Sequence, residues 1–164
     1  MTLNFEPLIR FMKHLPINGD VELGLLKCHL LIEEVLTKLI TRESESPEFI
    51  IKARLTFAQK IWLARGLSNL GAEDWVWSSL KKLNEARNEL SHGLEPEQIN
   101  LKLKQFIINV ETSQGTPPPE VLGTNMGRFQ WAAFKLYSCI STHAHFDPTE
   151  LKIPTVLGSY IQNK

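Results

Sequence analysis

An arginine and a histidine five positions apart carry the most chemistry in this chain: Arg87 and His92, in Ala86-Arg87-Asn88-Glu89-Leu90-Ser91-His92-Gly93. The two suffice for one reaction without a metal. A histidine can take the proton of an RNA 2′-hydroxyl or protonate the leaving 5′-oxygen, and an arginine can stabilise the charge gathering on the phosphoryl oxygens. The products would be a 2′,3′-cyclic phosphate and a 5′-hydroxyl. Arg87 also sits in an unusual place. Val76, Leu80, Leu83, Leu90 and Leu94 recur at helical spacing. At about 100° per residue they fall within roughly 80° of one another, with Arg87 at the centre. A guanidinium cannot shed its proton, so on an apolar face it needs a carboxylate, a phosphate or a partner subunit.

Five helical steps rotate a side chain by about 140°, so Arg87 and His92 diverge on an unbroken helix. Convergence requires the helix to end or distort near Ser91-His92, which a left-handed cap at Gly93 permits, or a second subunit to bring its own copy. A helix C-terminus favours a protonated imidazole, moving the histidine towards a useful acid/base range. The plainer alternative pairs Arg87 with Glu33 or Glu34 of an earlier helix and leaves His92 as a cap. One of these two glutamates is also a candidate to orient Arg87 or His92. Lys81 and Lys82 precede the motif and are candidate phosphate contacts, or simply a solvated face.

Other sites are weaker. His143-Ala-His145-Phe-Asp147 contains metal-ligand types, but alternate residues on a helix diverge and no further ligand is near in sequence. A polar cluster at a helix end is the preferred reading, and neither a metal nor a cofactor is expected. Trp62, Trp75, Trp77 and Trp131 are able to stack on bases, yet aromatics at helical spacing usually pack in a core or interface.

The elements that must hold these residues are helical almost throughout. The chain has 164 residues, 43% hydrophobic and 22% charged, which suits a single soluble domain able to bury its own core. Its eighteen basic and eighteen acidic side chains cancel, so any contact with nucleic acid must come from a local patch. The apolar runs are too short for a membrane span, and the scattered charges of Met1 to Leu15 do not fit a signal peptide. Cys28 and Cys139 read as reduced packing residues of a cytoplasmic protein.

The spacing predicts a short helix over Asn4 to Leu15 and a long one over Asp20 to Arg42. The long helix has one face of Val21, Leu25, Cys28, Ile32, Val35, Leu36 and Leu39, and an opposite face of Leu23, Leu26 and Leu30. Apolar on two sides, it lies either at the bundle's centre or between core and subunit interface. Ser46-Pro47 opens a second helix that reaches about Leu70, burying Phe57, Ala58, Ile61 and Ala64. A third spans Glu73 to about Ser91, and Glu95-Pro96 opens a fourth with Ile99, Leu103, Phe106, Ile107 and Val110 inside. The prolines of the 113–123 linker interrupt the helical pattern. Phe129, Ala132, Ala133, Leu136, Tyr137 and Ile140 define a fifth helix from about Thr124 to His143, and the tail from Phe146 to Lys164 has enough apolar residues to pack down. The expectation is one all-α domain, an up-and-down helical bundle with its core over about 20–112 and a C-terminal appendage over 124–164.

Leu83-Asn-Glu-Ala-Arg-Asn-Glu-Leu-Ser-His-Gly93 resembles the signature of the HEPN superfamily: an arginine, a polar neighbour, and a histidine four to six positions on. Arg87, Asn88 and His92 match it position by position. Leu26-Lys-Cys-His-Leu-Leu-Ile-Glu-Glu-Val-Leu36 is similar to that family's long first helix. Phe57-Ala-Gln-Lys-Ile-Trp-Leu-Ala64 resembles the branch that includes the mannitol operon repressor. The likeness covers roughly Asp20 to Thr112. It implies a dimeric helical bundle and a metal-independent endoribonuclease, often a toxin or antiviral effector, whose composite site forms across the homodimer. Arg87, His92 and Asn88 would be its catalytic set, RNA its substrate, and a protein antitoxin or regulatory partner a further binder. One departure stands out. The toxin branch controlled by a nucleotidyltransferase antitoxin has a tyrosine two positions after the histidine, where this chain has Leu94. Other relatives keep the fold and bind RNA or partners without cutting, so a non-catalytic regulator of the mannitol-repressor kind is the alternative.

Overall fold

Asp20 starts the longest helix: its carboxylate accepts a hydrogen bond from the Glu22 amide, satisfying an N–H that has no partner within the helix. In the computed structural model, which describes residues 6–15, 20–68, 74–93, 95–122 and 125–144, this is α2, Val21–Glu43, preceded by α1, Glu6–His14. The remaining segments are α3 (Pro47–Lys52), α4 (Phe57–Leu67), α5 (Asp74–His92), α6 (Pro96–Gln114), α7 (Pro119–Leu122) and α8 (Asn125–His143). Among the described residues there is no strand, and the fold is an all-α bundle. No described helix is long and apolar enough to cross a membrane. Leu94, His145, Asp147 and the 146–164 tail lie outside the described residues.

The expected second helix is two. Pro47 opens α3 in the first turn, but the Ser46 side chain makes no capping bond and the helix stops at Lys52. Arg54 then takes a positive φ of 49°, turning the chain. Thr56 restarts it with a capping box: its hydroxyl accepts from the Gln59 amide while the Gln59 side chain accepts from the Thr56 amide. Left-handed backbone strains a residue with a Cβ, so Arg54→Gly should raise stability by about 1 kcal/mol, read from paired thermal melts. An unchanged or lower melting temperature would show that the Arg54 side chain compensates.

The core lies between α2, α5, α6 and α8. Leu25, Ile32, Leu36 and Leu39 of α2 are buried in one cluster with Leu80 and Leu83 of α5 and Phe106 of α6. The C-terminal helix is no appendage. Phe129, Ala132, Ala133, Leu136 and Ile140 are fully buried, and α8 packs on α1, α2, α5 and α6. Arg128 seals the contact with a two-pronged bond to Glu111 of α6, at 2.9 and 2.6 Å. The proline linker is not wholly irregular either: α6 runs into it as far as Gln114, Gly115 breaks it at φ 83°, and Pro119 opens the single turn of α7.

The α5–α6 pair is the most extensive helix contact. Across it the Asn109 amide donates to the Ser78 hydroxyl at 2.9 Å, the buried Ser79 hydroxyl at 2.8 Å and the Trp75 carbonyl at 3.4 Å. The second apolar face of α2 is the opposite case. Leu23 is 43%, Leu26 38% and Leu30 63% exposed, so that face is not covered by the described residues.

Candidate functional site

Arg87 lies on α5 in line with its buried face, two turns after Leu80, one after Leu83 and Asn84, and just past the last buried residue, Ala86. Its guanidinium is half-buried. Among the described residues no carboxylate comes within ion-pair distance, and its side-chain bond is a long 3.4 Å donation to the Oδ1 of its neighbour Asn88. Glu33 and Glu34 are both engaged elsewhere. The Oε1 of Glu33 accepts from the Lys60 ammonium of α4 at 2.8 Å, and Glu34 accepts from Arg10 of α1 at 2.6 Å. The structural pairing of Arg87 with either glutamate is therefore not formed.

The histidine that feels the Arg87 charge is one that sequence reasoning does not single out. His29 of α2 is buried, 6% exposed, with its ring stacked on Phe57 of α4 at 4.0 Å between centroids. Its Nε2 lies 3.4 Å from Asn84 Oδ1, and its Nδ1 lies 3.9 Å from Glu33 Oε2. Burial holds its pKa below the ordinary histidine value; the Asn84 bond and the Glu33 charge oppose that, while the nearby Arg87 and Lys60 charges add to it. His29 is consequently neutral at neutral pH. The cluster thus draws on three helices: Glu33 and His29 from α2, Lys60 from α4, Asn84 and Arg87 from α5. A sequence signal existed in His29 and Glu33, one turn apart on the flank between α2's two apolar faces.

A neutral buried histidine ties stability to pH. The unfolded chain binds the proton near about pH 6.5, the folded chain only at lower pH, so stability is retained above that value and falls as acid is added below it. We expect melts across about pH 7.5 to 5 to show this decline, and His29→Gln to flatten it. An unaltered slope in the variant would assign the decline to other groups.

His92 is the last residue of α5, exposed, and α5 is continuous to that point. Within one chain Arg87 and His92 therefore point about 140° apart. Gly93 does not supply the expected left-handed cap, since its φ is not positive. It serves close approach instead: a Cβ there would meet the Glu89 carbonyl oxygen at 2.8 Å and its carboxylate at 2.5 Å. Asn88 and Lys81 are exposed and Lys82 is half-buried; among the described residues neither lysine has a carboxylate partner. No family model matches the chain, and neither a curated protein nor a solved structure does. Its residues must speak for themselves.

The remaining sequence candidates fall away from this cluster. His143 donates from its Nδ1–H to the Cys139 carbonyl one turn back, 2.8 Å away, as a helix-end polar residue does. Among the described residues no group of three metal-ligating side chains converges. Cys28 is fully buried, and burial pushes its thiol far above the ordinary range, leaving it protonated. Trp77 is buried and Trp131 half-buried under the Lys135 ammonium at 4.6 Å; Trp62, by contrast, is 70% exposed.

Proposed function

We propose that this protein is a metal-independent endoribonuclease of HEPN type, with Arg87, Asn88 and His92 acting across a homodimer. One observation carries the reading: a half-buried guanidinium without a carboxylate among the described residues, flanked by a neutral histidine and Asn84. Such a cation is open to an anion that the described residues do not supply, and a phosphodiester is the anion whose chemistry the nearby groups serve. Two copies are part of the proposal because one continuous helix turns Arg87 and His92 apart. The exposed Leu23, Leu26 and Leu30 of α2 supply an apolar face for a second copy.

In this mechanism Arg87 binds the phosphoryl oxygens as they gain charge, Asn88 holds the guanidinium, and the partner's copy of the exposed histidine transfers the proton. Glu33 holds Lys60 at 2.8 Å and therefore takes no part in orienting Arg87. The test incubates purified protein with total RNA in EDTA beside its His92→Ala variant, with light scattering on the same sample. Cleavage by the wild type alone, from a dimer, supports the reading; a monomer at micromolar concentration or equal cleavage by both sinks it.

A second reading is favoured by the same divergence of Arg87 and His92 and by the zero net charge. It is a HEPN-fold regulator that binds a partner through Arg87 without cutting. RNA left intact by a stable dimer would select it.

A further inference from the structure

We infer that the groove between α4 and α5 is a subsite for one unpaired nucleobase and its adjacent phosphate, with Trp62 as the stacking platform and Lys81 as the phosphate contact. This rests on the proposed action on RNA. The groove encloses about 540 Å³ and is lined by Ile61, Trp62 and Arg65 of α4 and by Trp77, Lys81 and Asn84 of α5. That volume lies within the range of small-molecule sites, about 300–1,000 Å³.

Trp62 is the first argument. An indole this large is seldom left 70% in water, and it stands at the rim of a concave site rather than on a flat face. Charge is the second. The groove's two carboxylates already have cations: Asp74 accepts from Arg65 at 3.1 Å, and Glu85 from Lys102 of α6 at 3.4 Å. Donors are left over. Lys81 has no carboxylate partner among the described residues, and Asn84 uses its Oδ1 towards His29, leaving its amide N–H groups for the groove. The buried Trp77 Nε1 also lacks a partner among the described residues. An apolar platform beside surplus donors suits a base with ring nitrogens, carbonyls and a phosphate.

Position is the third. Trp77, Lys81 and Asn84 follow at helical spacing along one face of α5, and Arg87 stands one turn beyond Asn84, about 60° round the helix from it. A base held by Trp62 therefore places the next phosphodiesters of the strand along that face. The uncovered leucines of α2 lie on another helix and offer no such donors, which separates a protein-docking face from this one.

The experiment measures fluorescence anisotropy of a labelled, purine-rich single-stranded oligonucleotide with 2′-O-methyl groups, which the proposed chemistry cannot cut, in EDTA. Losing one stacked base weakens binding by about 5- to 150-fold, so Trp62→Ala should raise Kd within that range and Trp62→Phe should restore most of the affinity. Lys81→Ala should weaken binding less and lower its salt dependence by about one phosphate's worth. Wild-type binding that Trp62→Ala leaves unchanged overturns the subsite and leaves the nuclease reading standing. No binding by the wild type overturns both. A dimer that dissociates on Trp62→Ala while oligonucleotide affinity is kept shows the groove to be a protein interface, and also overturns the inference.

Discussion

Arg87→Ala and His92→Ala should each lower RNA cleavage by about 10²- to 10⁴-fold, the usual contribution of one phosphoryl-charge stabiliser or one general acid/base. His143→Ala should leave the rate nearly unchanged, because its ring is occupied at the end of α8 with the Cys139 carbonyl. The informative half of the experiment is the thermal melt. A buried arginine in a structural ion pair strands its carboxylate when removed, at a cost of about 3–5 kcal/mol. Arg87 has no such partner among the described residues, only the 3.4 Å contact to Asn88. Arg87→Ala should therefore shift the melting temperature by only about 2–4 °C, the equivalent of roughly 1 kcal/mol in a domain this size. Loss of activity with stability intact marks a ligand-binding group. A loss above about 3 kcal/mol would instead mark a strut.

The largest stability effect is expected at Phe129. Its ring is fully buried on α8 and meets Phe106 of α6 at 6.1 Å between centroids. Phe129→Ala should cost about 3–5 kcal/mol, from lost transfer energy and the cavity left behind. Urea melts check it. A loss below about 1 kcal/mol, with circular dichroism preserved, would mean that α8 docks loosely on a core that stands without it. The same variant tests whether the site depends on α8, since α8 also packs on α2 and α5, which carry His29 and Arg87.

Much of the bundle was legible because helical spacing reports burial directly. The inner face read for α6 is wholly buried, the residues that define α8 line the core, and the long helix starts next to Asp20, where spacing places it. What escaped were features set by one residue or by distant packing. The break before Thr56 depends on a left-handed Arg54, which side-chain periodicity does not register, although Thr56 and Gln59 are spaced as a capping box. Ala58, read as buried, is exposed because the restart at Phe57 sets α4's facing independently of α3. The α8 contacts were missed because the prolines before it read as a boundary, whereas Pro117 is itself buried.

The site was half legible. Arg87's place at the centre of an apolar stripe reads from spacing alone, and the structure leaves the residue half-buried at the C-terminal end of that stripe. His29 shows in the sequence only through its one-turn spacing to Glu33, since its other neighbours Asn84, Lys60 and Phe57 come from helices far along the chain. Gly93 was assigned the right importance for the wrong reason: close approach to Glu89 needs it, not a positive φ.

Asn109 has a consequence for how α5 is held lengthwise. Two apolar helices can exchange one set of ridges and grooves for the next by sliding about one turn, roughly 5.4 Å. The three-way donation from Asn109 fixes the pair in a single register, because any slip would leave the buried Ser79 hydroxyl without its partner. Arg87 and His92, further along the same rod, thereby inherit their axial position from an amide that takes no part in their chemistry.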